Sequence, residues 1–269
     1  MKLKEIISAL DSYGADNSNE EAFLIIENIY KISRAKILAD REKSYTSPEI
    51  LEILEKRRDH IPLQHILGKW EFMGFEFLIS QDTLIPRPDT EILVEKALHE
   101  IKNGARVADL CTGSGCIGIS LALLKRDIDL TLVDISNGAL DMARKNAKKH
   151  KIDARFILGD IRTCLAGEKF DVIVSNPPYI PTKDIENLSP EVKKEPLLAL
   201  DGGDDGLDII SFLVNDGLSL LNEGGKMLIE FGYDQKKSIE ECLKSNEKIK
   251  AFEIFYDYGK NPRCVLITK

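Results

Sequence analysis

The sequence predicts an α/β fold in which helices cover both faces of a mostly parallel sheet. After Asn103, short apolar segments of strand character alternate with segments of helical length. This alternation is typical of parallel sheets whose strands are joined by helices. The last two strand-like segments, KAFEIFYDYG and CVLIT, are joined by a short turn that contains KNP. They must be antiparallel, because a parallel crossover needs about a dozen residues or more.

The N-terminal part of the chain has a different pattern of apolar residues. Its opening segment, MKLKEIISALDS, has apolar residues at positions 3, 6, 7 and 10, which predicts an amphipathic helix rather than a signal peptide. The aromatic segment KWEFMGFEFLIS, interrupted by Gly74, predicts two short strands in a hairpin. We therefore predict a helical domain over residues 1–62, a hairpin connector over residues 63–84 and an α/β domain over residues 85–269.

Within the α/β domain, the prolines of LIPRPDTEILVEKALHEI hold the chain extended before a first helix. The segments RVADL, LTLVD, ARFIL, FDVIVS and GKMLIEF follow as predicted strands. Further helices are predicted over residues 115–125, 137–150, 205–222 and 234–246.

Composition and charge limit the function classes. The chain has 269 residues and a net charge of −8, and its first 85 residues carry 11 Lys and Arg against 15 Asp and Glu. This balance argues against non-specific nucleic-acid binding as the main activity. Five cysteines, without a C-x-x-C pair, indicate a reduced, cytoplasmic protein. No apolar run approaches the roughly 18 residues of a membrane span, and no metal site is predicted.

A glycine loop, residues 109–118, leads a predicted strand into a helix. Its spacing through Gly113, Gly115 and Gly118 matches G-x-G-x-x-G, and Asp134 ends the next strand 19 residues after Gly115. Both features occur in dinucleotide sites, so an NAD-dependent oxidoreductase is one candidate.

Asp109 favours a different ligand. A carboxylate just before the loop would repel a pyrophosphate, but it can hold a cation such as the amino end of S-adenosylmethionine, directly or through water. Asp134 is placed to accept hydrogen bonds from both ribose hydroxyls. Asp160 falls where the adenine edge is expected, and Ile161 is placed to pack on the base; ordinary loop positions without ligand contact are the alternative for both. We therefore expect S-adenosylmethionine in this site.

The stretch FDVIVSNPPYIPTKDI leaves a buried strand through an acceptor corner, residues 176–179. Ligands of open α/β sheets lie beyond the carboxyl ends of the strands, so Asn176 is expected beside the nucleotide. Its side-chain oxygen and the Pro177 carbonyl can accept the two N–H groups of a planar –NH2. Pro177 and Pro178 supply no donor and stiffen the chain. Tyr179 offers a flat face for stacking.

Two acceptors that hold an –NH2 group point to amino-group methylation. They keep both hydrogens in place and aim the nitrogen lone pair at the methyl donor, so attack on a sulfonium needs mainly positioning. No strong base is required beforehand, because the proton becomes acidic once the nitrogen is methylated. A proline-stiffened turn without chemistry is the alternative for this stretch.

Three stretches, TLIPRPDTE (83–91), DLCTGSGCIG (109–118) and SNPPYIP (175–181), resemble the HemK/PrmC family of S-adenosylmethionine-dependent protein-glutamine methyltransferases. The segment KKEPLLALDGGDDGLD (193–208) supports the resemblance. It implies a seven-stranded Rossmann-like methyltransferase sheet with an antiparallel last strand. It also implies a small N-terminal helical domain and a β-hairpin connector, which would dock the substrate.

The resemblance implies methyl transfer to the side-chain amide nitrogen of the glutamine in the Gly-Gly-Gln motif of peptide-chain release factors. This reaction would modulate translation termination and yield S-adenosylhomocysteine. Asn176, Pro177, Pro178 and Tyr179 would form the catalytic and substrate-binding corner. By position, the cofactor-binding residues would be Asp109, Cys111, Thr112, Gly113, Ser114, Gly115, Asp134, Ile161 and Asn176.

Some positions depart from the family or have no assigned role. Cys111 stands where this loop often has glycine, and Ile161 stands where some relatives carry an aromatic residue. Arg87 and Glu195 have no predicted role beyond packing or an ion pair. A nucleic-acid amino-methyltransferase, acting on adenine N6 or guanine N2, would use the same corner. Such an enzyme should carry a basic target-recognition region, and the acidic first 85 residues argue against one.

Overall fold

The computed structural model describes residues 1–269, which fold into two compact units. One unit comprises Met1–Gly68 together with Ser189–Lys194, and the other comprises Lys69–Leu188 and Glu195–Lys269. None of the helices combines the length and the apolar character that a membrane crossing requires.

The first unit contains five helices around one apolar core. The last of them occupies the start of the predicted hairpin connector, because the extended Pro62 precedes it and the left-handed Gly68 (φ 70°) ends it. The helices are α1 (Leu3–Ser12), α2 (Ser18–Tyr30), α3 (Arg34–Ala39), α4 (Glu49–Arg58) and α5 (Leu63–Leu67).

Arg57 is a buried cation in this unit, and its charge is fully paired. Its guanidinium donates to both carboxylate oxygens of Glu21 at 2.7 Å, to Glu191 at 2.5 Å and to the Ile61 carbonyl at 2.7 Å. A buried charge is tolerated only with such partners. Arg57 therefore ties segment 189–194 to the helices of its own unit.

The second unit begins with the predicted hairpin. Strands β1 (Lys69–Phe72) and β2 (Phe75–Leu78) pair antiparallel. Met73 and Gly74 both have positive φ, 53° and 75°, as tight hairpin turns require. Phe72 and Phe77 are buried in the core of the unit.

The main sheet has seven strands in the order β5-β4-β3-β6-β7-β9-β8. Neighbours among β3 to β7 pair parallel, and β9 pairs antiparallel with both β7 and β8. The predicted fold class and antiparallel last strand are confirmed. The strands are β3 (Ala105–Leu110), β4 (Ile128–Asp134), β5 (Arg155–Leu158), β6 (Phe170–Ser175), β7 (Leu221–Glu230), β8 (Ala251–Tyr256) and β9 (Pro262–Thr268).

Helices cover both faces of this sheet. Alternate residues of one strand enter opposite cores, as the period of two requires: Val107 joins one apolar cluster, and Ala108 joins the other. The helices are α6 (Glu91–Glu100), α7 (Cys116–Leu124), α8 (Asn137–His150), α9 (Asp208–Asn215) and α10 (Lys236–Lys244).

One predicted helix is wrong in length. The segment 205–222 was expected to be helical throughout, but α9 ends at Asn215, a 3₁₀ turn spans Gly217–Leu220 and β7 begins at Leu221. Leu221 pairs with Phe170 of β6. Short apolar runs do not distinguish a helix from a buried strand by periodicity alone, and the sheet partner decides here.

The strand order indicates where a ligand would bind. The chain builds β3, β4 and β5 towards one side, then crosses β3 to add β6 on its other side. Open α/β sheets bind ligands where the order reverses, beyond the carboxyl ends of the strands. The loops that follow β3 and β6 meet at that point.

Candidate functional site

A cavity of about 270 Å³ lies at this edge of the sheet, and all of its lining residues belong to the second unit. It brings together most of the predicted site residues. The glycine loop contributes Cys111, Thr112, Gly113 and Ser114; the loops after β4 and β5 contribute Asp134, Asp160 and Ile161; the acceptor corner contributes Asn176 and Pro178. Asp109, Gly115, Pro177 and Tyr179 are not among the lining residues.

Asp109 holds the glycine loop from beneath. Its Oδ2 accepts hydrogen bonds from the Thr112 hydroxyl at 2.6 Å and from the Gly118 N–H at 2.9 Å. The carboxylate thereby joins the end of β3 to the first turn of α7. A Cβ at Gly118 would stand 2.5 Å from Leu132 Cδ2, so this position has no room for a side chain. Gly115, directly before α7, has φ 80°, a left-handed conformation that favours glycine.

The position of Asp109 changes its predicted role. The side chain is fully buried, and the loop that it supports separates it from the cavity wall. Contact with a cationic ligand would need an intervening water. Burial raises the pKa of Asp109 to about 7, and the nearby Asp134 adds to the rise. Its Oδ1 has no hydrogen-bond partner.

Asp134 lines the cavity at the end of β4. Its Oδ2 accepts from the Gly113 N–H and its Oδ1 accepts from the Ser136 N–H, both at 2.8 Å. Burial raises its pKa. Since each carboxylate oxygen can accept more than one hydrogen bond, Asp134 retains acceptor capacity for two neighbouring hydroxyls. The backbone bonds fix its orientation.

The walls beside Asp134 are apolar, which fits a nucleoside. Ile161 is buried and lines the cavity, and Ile135 lines it with half of its surface exposed. Ile135 is outside the predicted set. An apolar residue directly after a strand-end carboxylate was the signal that could have identified it. A flat base would cover Ile135 and remove that surface from water.

Asp160 is less available than the sequence suggests. Both of its carboxylate oxygens accept hydrogen bonds from the Arg162 guanidinium, at 2.7 to 3.0 Å. This pairing lowers the pKa of Asp160. Both residues line the cavity, so a ligand would meet the ion pair rather than a free carboxylate.

Cys111 adopts the left-handed conformation that its loop position demands. Its φ is 60°, which glycine adopts without strain and other residues rarely do. The loop keeps its backbone path, and the strain of a positive φ at a cysteine is the cost. Burial raises the pKa of the thiol, so the side chain stays neutral at physiological pH.

Asn146 supports the loop from α8 and is also outside the predicted set. Its Nδ2 donates to the carbonyls of Ser114 and Leu78, both at 2.8 Å, and its Oδ1 accepts from the Leu78 N–H at 2.7 Å. The fully buried amide therefore connects the hairpin to the glycine loop. An asparagine in mid-helix gave no sequence signal of this role.

At the acceptor corner, Asn176 is held by one end of its amide. Its Nδ2 donates to the Thr90 hydroxyl at 3.3 Å. Its Oδ1 and the Pro177 carbonyl accept no hydrogen bond from the protein. Two free acceptors thus lie next to each other in the chain, although Pro177 itself is buried behind the cavity wall.

Tyr179 packs behind the corner. Its ring contacts the apolar cluster that includes Phe231, and its hydroxyl lies 3.5 Å from Glu230 Oε1. Its carbonyl accepts from Gln235 Nε2 at 2.8 Å. Burial, together with the nearby Glu230, raises the pKa of the phenol. Because this ring is engaged by the core, its stacking on a substrate stays a prediction.

Arg87 and Glu195 meet in an ion pair beside the cavity. The buried Glu195 carboxylate also accepts from the Ile85 N–H at 2.9 Å. The pair anchors the segment whose residues Pro196 and Leu198 line the cavity. It therefore joins two of the stretches that carry the family resemblance.

Comparison with known proteins identifies the family. Residues 87–191 match the model of the methyltransferase small domain, and residues 2–68 match that of the PrmC N-terminal domain. A release factor glutamine methyltransferase of Moorella thermoacetica is 35% identical over 98% of this chain and 96% of its own length. The chain belongs to the release factor glutamine methyltransferase family. A family member of Borreliella burgdorferi is 36% identical over 99% of this chain and 94% of its own.

Solved structures of other methyltransferases share the fold of the present chain. A methyltransferase from Pyrococcus furiosus superposes with a TM-score of 0.57 at 17% identity, covering 74% of this chain and 90% of that one. A ribosomal protein L11 methylase from Lactobacillus delbrueckii gives a TM-score of 0.50 at 21% identity, covering 70% and 81%. These neighbours confirm a Rossmann-like methyltransferase fold. The oxidoreductase alternative is not favoured.

Proposed function

We propose that this protein transfers a methyl group from S-adenosylmethionine to the side-chain amide nitrogen of the glutamine in the Gly-Gly-Gln motif of peptide-chain release factors. The observation that carries the proposal is the pair of free acceptors, Asn176 Oδ1 and the Pro177 carbonyl, next to a cavity that Asp134, Ile135 and Ile161 line. Membership of the family supplies the substrate class. Action on release factors implies a cytoplasmic reaction that modulates translation termination.

The cavity residues fit the cofactor. Asp134 would accept from the ribose hydroxyls, Ile135 and Ile161 would flank the base, and residues 111–114 would contact the amino-acid part. Asp109 would act mainly by supporting these residues. When bound, the cofactor supplies a methyl group activated by the positive sulfonium.

The corner residues would prepare the substrate amide. Asn176 Oδ1 and the Pro177 carbonyl would each accept one N–H of the glutamine –NH2, which fixes the plane of the amide. Pro178 lines the cavity and keeps the corner stiff. Tyr179 would close the side of the glutamine site. No residue has to remove a proton before methyl transfer.

Mass spectrometry tests the proposal. The protein is incubated with S-adenosylmethionine and a purified release factor, and the Gly-Gly-Gln peptide is sequenced after digestion. We expect one added methyl on the glutamine side chain. A release factor with this glutamine changed to alanine is the matched control and should stay unlabelled. Label that appears only on added RNA or DNA would contradict the proposal and favour a nucleic-acid substrate.

A further inference from the structure

Gln235 lies directly before α10, is buried and does not line the cavity. Its side-chain Nε2 donates to the Tyr179 carbonyl at 2.8 Å and to the Gly206 carbonyl at 3.3 Å. Its Oε1 accepts from the Gly232 N–H at 2.8 Å. One buried amide therefore connects the end of the acceptor corner to the loops before α9 and after β7.

The orientation of the Gln235 amide is fixed by its partners. All three partners are main-chain groups, and a carbonyl can only accept a hydrogen bond, whereas an N–H can only donate one. A reversed amide would place Oε1 against two carbonyl oxygens and Nε2 against an N–H. Because buried polar groups without partners are costly, the observed orientation is the one that satisfies all three.

The loop before α9 packs closely against the same part of the corner. A Cβ at Gly206 would lie 2.3 Å from the Tyr179 carbonyl oxygen and 2.7 Å from Gln235 Nε2. A Cβ at Gly202 would lie 2.8 Å from the Pro178 carbonyl oxygen. The backbone of the corner has no free space on this side, so a displaced Tyr179 carbonyl must move away from the loop.

The other end of the corner is fixed by the sheet. Ser175, the last residue of β6, pairs with both neighbouring strands. Between the two ends, the rings of Pro177 and Pro178 restrict the backbone torsions. A short, stiff segment that is held at both ends has few ways to move. The direction of the Pro177 carbonyl therefore depends on where the Tyr179 carbonyl is held.

We propose that Gln235 is a positioning residue that fixes the direction in which the Pro177 carbonyl is offered to the substrate –NH2. The inference rests on the proposed function, in which this carbonyl accepts one N–H of the glutamine. Without the Gln235 donor, the buried Tyr179 carbonyl would turn towards another donor, and the Pro177 carbonyl would turn with it. Misplacement of a reacting group by about 1 Å can cost on the order of 10² in rate.

The first test reads the Tyr179 carbonyl directly in the protein without ligands. The dipeptide Tyr-Ile occurs once in the chain, at 179–180. Labelling with carbonyl-¹³C tyrosine and ¹⁵N isoleucine therefore gives one cross-peak in an HNCO spectrum, and its ¹³C shift reports the hydrogen bond that this carbonyl accepts.

Two substitutions remove the donor in different ways. Gln235→Met keeps the length of the side chain and removes all three bonds. Gln235→Glu keeps the acceptor for the Gly232 N–H but places a second oxygen against the Tyr179 carbonyl, which repels it. We expect the cross-peak to move in both variants. A cross-peak that stays in place would overturn the inference.

The second test uses turnover with a release factor as substrate. We expect kcat to fall by about tenfold in both variants, as misplacement of a reacting group does. The affinity for S-adenosylhomocysteine should change by about twofold or less, because Gln235 does not line the cavity. If the cross-peak moves while kcat keeps its wild-type value, the bond exists but the positioning role is wrong.

Asn246→Ala is the matched control for a loss of stability alone. Asn246 Nδ2 donates to the Val214 carbonyl at 2.8 Å, near the end of α9, and neither residue lines the cavity. Its loss should lower the thermal midpoint but leave kcat and the Tyr179 cross-peak unchanged. An equal fall of kcat in Asn246→Ala would mean that stability, rather than position, sets turnover.

The Gln235 variants are expected to fold, because Ile180 keeps its backbone bonds to Leu200 and Gly202. A wild-type measurement decides the case if they do not. The chain has three glutamines, at 64, 81 and 235, so their side-chain ¹⁵N signals can be assigned by changing the other two in turn. The N–H groups of Gln235 should exchange with solvent far more slowly than those of the exposed Gln81. Equal exchange rates would overturn the inference.

These outcomes separate the inference from the proposed function. If the wild type methylates no release factor, the proposed function fails. The cross-peak and the exchange rates still decide whether Gln235 holds the corner.

Discussion

The glycine loop and the acceptor corner border the same cavity, but they are held by different kinds of contact. Asp109 closes the loop through Thr112 and Gly118, three and nine positions away. Asn176, in contrast, is held by Thr90, 86 positions away. The Tyr179 carbonyl likewise depends on Gln235, 56 positions away.

This difference predicts different sensitivities. The two Asp109 bonds lie within the loop, and Asp134 and Asn146 add bonds to Gly113 and Ser114. Changes within the loop should therefore affect the stability of the unit and the affinity for the cofactor together. The corner takes its shape from several distant elements and carries the free acceptors. A change of the Asn176 side chain should therefore affect turnover with little effect on folding.

The largest expected effect is at the corner. Asn176→Ala removes a free acceptor, and kcat should fall by about 10²–10³, the range seen when one positioned hydrogen-bonding group is lost from an active site. The affinity for S-adenosylhomocysteine, measured by calorimetry, should change by about twofold or less. The exposed Asn215, on the last turn of α9, provides the control Asn215→Ala. Unchanged turnover in Asn176→Ala would contradict the expectation that the acceptor corner controls turnover.

A pH-dependent effect is expected from the loop. Folded Asp109 keeps a proton to about pH 7, whereas an ordinary aspartate releases it near 3.8. Between these values unfolding releases a proton, so the free energy of unfolding falls as pH rises and levels off above pH 7. The slope reaches at most about 1.4 kcal/mol per pH unit.

Urea unfolding of the wild type and Asp109→Asn across this window measures the effect. The free energy of unfolding of the wild type, relative to that of the variant, should decrease between about pH 4 and about pH 7. These limits are the ordinary and the raised pKa of Asp109. Contributions of carboxyls that do not interact with Asp109 are common to both proteins and cancel in the difference. Parallel stability curves would mean that Asp109 is ionised in the folded protein.

A third prediction concerns the packing of the loop. Gly118→Ala places a methyl group 2.5 Å from Leu132 and 3.0 Å from Asp109, so the free energy of unfolding should fall by about 1–3 kcal/mol. Cofactor affinity should fall with it. The control is Gly217→Ala, whose new Cβ would meet its neighbours at 3.4 Å or more. It should stay within about 1 kcal/mol of the wild type.

Equal losses in these two glycine variants would show that the short contacts at Gly118 do not set the cost. Loss of stability in Gly118→Ala with full cofactor affinity would break the expected link between folding and binding in the loop.

The smallest effect is expected at Ile135. Ile135→Ala removes apolar contact with a base but leaves the loop intact, so the affinity for S-adenosylhomocysteine should weaken by about 1 kcal/mol, or roughly fivefold. Calorimetry measures the change. Leu124→Ala, at an exposed apolar residue outside the cavity, is the matched control. Equal affinity in both variants would mean that Ile135 does not contact the base.

Most of the elements and the glycine loop could be predicted from the sequence. Apolar alternation predicted the parallel sheet, and the short closing turn predicted the antiparallel pair, because both depend on near neighbours in the chain. The glycine spacing predicted where Asp134 and residues 111–114 would meet. Local chemistry also identified Asn176 and the Pro177 carbonyl as acceptors.

The support of the site depends on contacts that form only in the folded chain. It placed Asp109 beneath the loop, paired Asp160 with Arg162 and turned Tyr179 towards Glu230. It also ended α9 early, because Leu221 finds a partner in β6. These outcomes depend on burial and on partners far along the chain, and no local pattern records which distant side chain will occupy the same buried space.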